Sequence, residues 1–236
     1  MDLKKLYIDG QWVAPLSGQY IDVENPATKE TFATVAAAGE QDVAAAALAA
    51  AKAFPAWAAR PMEERIDFMR KLLKELIQFE PQMVDAVVNE LGIPVSFVKT
   101  ITSATSSYGL SLISTWHRSC FSRKTAPVRC IPPSLRSYRL HHAVELSFGQ
   151  IIQKVIPAIL VGATVVLKPS QSTPVTAYYL AEAFDRAGFP KGVFNFIPGR
   201  SGEIGNAICD DPNISMISFT GSTKAGIKVS QRAWRP

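Results

Sequence analysis

Long apolar runs are missing from this chain of 236 residues. None approaches the roughly 18 residues that a membrane-spanning helix needs. Met1 is followed by Asp2, Lys4 and Lys5 rather than by an apolar leader. A cytoplasmic protein with no membrane partner is the expectation. Cysteine is scarce: Cys120, Cys130 and Cys209 are the full set. An odd number without ligand-like spacing excludes a disulfide framework and a zinc site. Net charge of either sign is missing outside one stretch. The net charge is +5, and residues 102–147 hold five Arg, one Lys and a single acid, Glu145, so the remainder sums to zero. A basic patch confined to one segment is a poor footprint for a nucleic-acid partner. All three histidines, His117, His141 and His142, fall in that segment as well.

What is present is patterned on both sides of it. Leu6 to Val13 contains two β-prone runs flanking Asp9-Gly10, which predicts a hairpin with a type I′ turn. Tyr20 to Val23 continues in strand character, and Asn25-Pro26-Ala27-Thr28 is a turn. An alanine-rich helix is expected from Val43 to Phe54, interrupted by Pro55. Met62 to Phe79 carries Ile66, Met69, Leu72, Leu73, Leu76 and Ile77 on one stripe, an amphipathic helix that Pro81 ends. Met83 to Leu91 is a further helix, stopped by Gly92. Residues 102–147 show no sustained period.

From residue 148 the punctuation returns. A helix over 151–160 precedes a β-branched run at 164–167, the mark of a buried parallel strand. A helix over 176–187, a strand over 193–197, a helix near 202–209, a strand over 215–219 and a helix from Thr223 follow. Alternation of this kind predicts an α/β fold with a doubly wound, Rossmann-like parallel sheet. Three parts are expected: 1–101, the irregular 102–147, and 148–236.

In such sheets ligands bind outside the carboxyl ends of the strands. Three segments fall there. Lys168-Pro169-Ser170-Gln171 offers a cation to ribose hydroxyls or phosphate. The run from Gly199 to Gly205 lets backbone approach a nucleotide beside a helix N-terminus. Phe219-Thr220-Gly221-Ser222 opens a helix and can hold a pyrophosphate. Each alone reads more readily as a turn; three at consecutive strand ends read as a site.

Taken together, these segments resemble the cofactor-binding half of the aldehyde dehydrogenase superfamily. Ile8-Asp9-Gly10-Gln11-Trp12, Asn25-Pro26-Ala27-Thr28, Ala53-Phe54 with Trp57, and Glu90-Leu91-Gly92-Ile93-Pro94 agree. The resemblance implies oxidation of an aldehyde to a carboxylic acid, NAD or NADP as cofactor, and a homo-oligomer. It implies that Lys168 contacts the adenine ribose, that Gly199 and Gly205 line the adenine side, and that Ser222 contacts the pyrophosphate with Gly221 allowing close approach. Ser170, Gln171 and Phe219 belong to the same cofactor-binding set. Members that prefer NAD commonly have glutamate where this chain has Gln171, so either nucleotide fits.

The catalytic groups that the family implies are not found. Neither a Gly-Gln-x-Cys segment nor a Glu-Leu-Gly-Gly segment occurs in the chain. The oxyanion asparagine is expected just before Phe148, in a Thr-Pro-Trp-Asn-Phe-Pro segment. One set of codons for Tyr138–Ser147, read one base later, encodes Ile-Gly-Cys-Ile-Thr-Pro-Trp-Asn-Phe-Pro. A shifted reading frame across the middle segment is therefore expected, and Ala233–Pro236 reads as a second shift that cuts the family pattern short. The expectation is a truncated, catalytically inactive family member. The alternatives are a non-enzymatic nucleotide-binding remnant, or an evolved insertion whose histidines bind metal; adjacent histidines rarely face one ion. Cys209 reads as a small buried residue.

Overall fold

The structure, a computed structural model, describes residues 2–99, 138–141 and 147–234. Cys120, Cys130, His117, His142 and Glu145 lie outside the described residues. Four strands come first: β1 (Leu6–Ile8), β2 (Gln11–Val13), β3 (Gln19–Glu24) and β4 (Thr31–Ala37). Three helices follow: α1 (Glu40–Ala58), α2 (Met62–Gln78) and α3 (Glu80–Leu91). The alternating part comprises β5 (Tyr138–His141), α4 (Ser147–Leu160), β6 (Val165–Lys168), α5 (Val175–Arg186), β7 (Phe194–Phe196), α6 (Ser201–Asp210), β8 (Met216–Phe219) and α7 (Thr223–Ala233).

The β1–β2 hairpin turns at Asp9 and Gly10 with φ of 52° and 71°, the two positive angles of a type I′ turn. β1 then pairs antiparallel with β7, joining Tyr7 to Phe196. The large sheet has the order β2-β1-β7-β6-β5-β8, while β3 and β4 form a separate antiparallel pair. β7, β6, β5 and β8 are mutually parallel. In chain order this is 3-2-1-4, the first half of a doubly wound sheet, with the order reversing between β5 and β8.

β6 shows why the run at 164–167 is uniformly apolar. Val165 and Leu167 pack with Phe194, Phe196 and the inward faces of α2, α4 and α5. Val166 packs with Ile204, Ile208 and the alanine face of α1. A strand covered on both faces has no solvent side to mark with polar residues.

Three expectations need correction. Pro55 does not interrupt α1; the helix continues to Ala58. The proline lacks the N–H of one helical bond, but Trp57 beyond it is buried and donates from Nε1 to the carbonyl of Ile159 at 3.1 Å. Packing at Trp57 outweighs the local penalty. Ile77 does not join the buried stripe of α2 and is 49% exposed. Pro81 opens α3 rather than ending α2, which stops at Gln78. One strand went unread: β5 lies inside the segment without period.

Charged side chains tie the helices to one another. Arg65 of α2 is buried and donates to the carbonyls of Leu160, Ala58 and Arg60 at 2.9, 3.2 and 2.6 Å. It thereby closes the C-terminal ends of α4 and α1, where carbonyls have no helical partner. Glu90 of α3 does the converse at the start of α5. Its carboxylate accepts from the Val175 amide, from the Thr176 amide at 3.3 Å and from the Thr176 hydroxyl at 2.5 Å.

Candidate functional site

The register of the parallel strands brings the candidate residues to one edge. His141, the last residue of β5, lies abreast of Lys168 on one side and Phe219 on the other. Strand alternation puts Lys168 on the same face as Val166, which is the α1 and α6 face. Lys168 is fully buried, and its Nζ donates to the carbonyl of Pro169 at 2.8 Å. A cation held inside the end of a strand is costly without partners, so this placement is built rather than incidental.

Beyond Lys168 the chain turns at Ser170, whose Oγ accepts from the Ser172 amide at 3.3 Å. Gln171 is exposed, and its Oε1 accepts from the Ser201 amide at 3.4 Å. That bond joins the carboxyl end of β6 to the first residue of α6. Thr173 is buried, and its hydroxyl has no hydrogen-bond partner.

The glycines of 199–205 do different things. A Cβ on Gly199 would fall 2.7 Å from Ile204 Cδ1 and 3.2 Å from the carbonyl of Ala38, so this residue packs inward. The Ala38 amide donates to the neighbouring Pro198 carbonyl at 2.8 Å. Gly202 and Gly205 face open space, with nothing within 4 Å of where a Cβ would stand. The first turns of α6 thus present bare backbone beside Gln171.

The third segment starts α7. Ser222 caps it, its Oγ accepting from the Ala225 amide at 3.3 Å. A side chain on Gly221 would clash with the ring of Phe219, which also lies against Gly226. Gly221 and Ser222 are exposed, and Phe219 is half-buried. The preceding residue, Thr220, accepts at Oγ1 from the Nζ of Lys154 in α4. Burial pushes the Lys154 ammonium below the usual lysine range. Lys154 was missed in the sequence, although it is the only charged residue between Phe148 and Leu160. That isolation within an apolar helix was the available signal.

Among the described residues no group of His, Cys, Asp or Glu could hold a metal ion, and no helix is long and apolar enough to cross a membrane. Cys209 is buried and unbridged in α6.

Known proteins share this fold. The family model described as "Aldehyde dehydrogenase family" matches residues 12–137 and 143–235. A putative aldehyde dehydrogenase of Staphylococcus epidermidis is 34% identical over 233 residues, which is 97% of this chain and 48% of that protein. The crystal structure of a mutant aldehyde dehydrogenase C from Pseudomonas syringae, in complex with NAD+ and octanal, is 34% identical. It superposes with a TM-score of 0.89, covering 98% of this chain and 48% of that one. An NADP-dependent enzyme of E. coli superposes with a TM-score of 0.85 at 29% identity, covering 98% of this chain and 49% of that one. The chain spans about half the length of the relatives it matches. A family match over nearly all of the sequence, together with the shared fold, shows that the chain belongs to the aldehyde dehydrogenase family.

Proposed function

We propose that this chain binds NAD or NADP across the carboxyl ends of β6, β5 and β8, and that alone it does not oxidise aldehydes. The observation that carries the first part is the convergence of Lys168, the bare backbone at Gly202 and Gly205, and the Ser222-capped start of α7 on one edge of a 3-2-1-4 sheet. The donor set suits a dinucleotide. Lys168 offers a cation for the adenine ribose, with Ser170 and Gln171 shaping the turn around it. Gly199 keeps the loop tight against Ala38, and Gly205 leaves room over α6 for a flat base. Gly221 and Ser222 bring amides and a hydroxyl to a pyrophosphate at the positive end of a helix. When bound, the nicotinamide supplies the acceptor for the hydride of an aldehyde oxidation.

The second part rests on what the chain's residues can do. Among the described residues no cysteine lies at this edge to attack an aldehyde, and the glutamate that does lie there, Glu203, stands 3.7 Å from Arg200. Cys209 is buried, and Glu90 is engaged at the start of α5. The whole family member oxidises an aldehyde to an acid; this chain contributes the cofactor-binding part. A cytoplasmic setting goes with this reading, in keeping with a sequence of only three cysteines.

Calorimetric titration with NAD and NADP, alongside an assay of reduced nucleotide with a panel of aldehydes, tests both parts. Binding without turnover is expected. Failure to bind either nucleotide overturns the first part, and turnover by the purified chain overturns the second.

We further infer that residues 102–147 are read in a shifted frame. The strand position of β5 supports it: a central parallel strand takes apolar residues, and the shifted frame supplies Ile-Gly-Cys-Ile at Tyr138–His141, where the chain has Tyr, Arg, Leu and His. Coding DNA in which no frame encodes that segment would sink this inference.

A further inference from the structure

Two side chains compete to cap the start of α5. Pro174 already has helical dihedrals, φ −87° and ψ −25°. Thr173 therefore stands where a capping hydroxyl accepts from the second or third amide of its own helix. Those amides belong to Val175 and Thr176. Both go instead to Glu90, which reaches across from the end of α3 and accepts from the Thr176 hydroxyl as well. The Thr173 hydroxyl is left fully buried with no partner. An unpaired buried hydroxyl costs stability, and so does a carboxyl group taken out of water. A threonine cap would avoid both costs. What Glu90 provides and a local cap cannot is a tie between α5 and another element.

The end of α3 is itself held. Asn89, next to Glu90, accepts at Oδ1 from Asn25 Nδ2 at 3.1 Å. Gly92 ends the helix with a left-handed φ of 65°, and a Cβ there would fall 3.0 Å from Pro26 Cγ. The turn at 25–28 thus fixes α3, and α3 fixes the first turn of α5. Between that turn and Lys168 runs the loop 169–174. Within it the Ser170 hydroxyl accepts from the Ser172 amide, and Gln171 accepts from the Ser201 amide at the start of α6. A short loop held at both ends has few shapes open to it. With Glu90 absent, the Val175 and Thr176 amides fall to Thr173, and the loop is drawn toward its own helix and off α6.

We propose that Glu90 is a positioning residue for the nucleotide: by taking the first amides of α5 from Thr173, it holds the 169–174 loop in the shape that sets Gln171 on α6 and presents Lys168 to the ribose. The proposal rests on the cofactor reading given above and adds to it a residue outside the strand-end segments. Glu90 acts through Val175 and Thr176, not by contact with the nucleotide.

The test is a set of titrations with NAD, adenosine and inorganic pyrophosphate. Glu90→Ala should weaken NAD and adenosine about tenfold and leave pyrophosphate, which needs only the start of α7, unchanged. Glu90→Gln keeps one acceptor oxygen and should recover part of the affinity, with a loss of about threefold; it carries the test if Glu90→Ala does not fold. Thr173→Val should bind NAD as the unaltered chain does. A role confined to stability would lower the unfolding temperature without separating adenosine from pyrophosphate. Unchanged adenosine affinity, equal losses for adenosine and pyrophosphate, or a loss of NAD affinity in Thr173→Val overturns the proposal. Hydrogen exchange without nucleotide separates this failure from that of the cofactor reading. The Ser201 amide should exchange faster in Glu90→Ala, while the Ala225 amide, capped by Ser222, keeps its rate. Equal exchange at Ser201 refutes the positioning role whether or not NAD binds, whereas absence of NAD binding by the unaltered chain refutes the cofactor reading itself.

Discussion

Glu90 is a carboxyl group with three donors and almost no water. Burial raises its pKa from 4.5 to about 7, against the opposing pull of the Thr176 hydroxyl and the Val175 and Thr176 amides. The folded chain therefore keeps this proton at pH values where the unfolded chain has already released it. The stability so contributed is full below about pH 4.5 and is lost as pH rises through about 7. Over that window the loss amounts to about 3 kcal/mol. Glu90→Gln should remove this part of the pH dependence, which thermal unfolding at pH 5 and pH 8 would reveal; an unchanged difference between the two would place the titration elsewhere. Gln171 governs a different quantity. It is exposed, it meets the start of α6 through the Ser201 amide, and it is neutral. Gln171→Glu would set a negative charge where a 2′-phosphate is expected. NADP should weaken about tenfold, equivalent to about 1.4 kcal/mol, while NAD holds its affinity. Equal effects on both nucleotides in a binding titration would move the ribose away from residue 171.

Elements with a clean period or punctuation are legible in the sequence. The stripe of α2, the Asp9-Gly10 turn and the glycine stop at Gly92, with its positive φ, follow from local chemistry. Of the candidate site, the strand-end segments were legible because parallel strands must end in turns near the ligand edge. Lys154 was not, because its importance depends on Thr220, 66 residues away, which no local pattern connects to it. Pro55 misled because Trp57 packs against α4, a contact that propensity does not contain. β5 is the most instructive miss. Its four residues alternate polar and apolar in a way that suits an exposed strand, yet it pairs on both sides, with β6 and with β8. Apolar residues are the norm at such a position. Making Tyr138→Ile, Arg139→Gly, Leu140→Cys and His141→Ile together should raise the unfolding temperature. Burying isoleucine is worth about 2 kcal/mol, and for a chain of this size that corresponds to about 5 °C. A lower unfolding temperature would mean that the present residues suit the strand better than those of the shifted frame.

Across the whole molecule stability is graded, and the grading runs along the sheet. The centre is dense. Val165, Val166 and Leu167 of β6 are fully buried, and Phe184 stacks on Phe194 with ring centroids 4.0 Å apart. At the other end, β8 is an edge strand, Met216 is 38% exposed, Ile227 is 53% exposed, and α7 buries no residue. Among its ties are the Ser222 cap, the Lys154–Thr220 bond and an Arg232–Asp210 ion pair, with Nε at 3.0 Å from the carboxylate. An exposed ion pair adds little to stability. Segments with few buried contacts open far more often than the global fold, and cleavage by a protease follows the population of the opened form when reclosing is fast. Trypsin should therefore cut after Lys224, Lys228 or Arg232 of α7 well before it cuts after Arg70, Lys71 or Lys74 of α2, whose apolar face is locked in the core. Saturating NAD should slow the cuts in α7 and leave those in α2 unaltered, because a ligand bound at Gly221 and Ser222 stabilises the state in which the start of α7 is formed. Equal rates at the two helices, read by mass spectrometry of the early fragments, would mean that β8 and α7 open only with the rest of the fold.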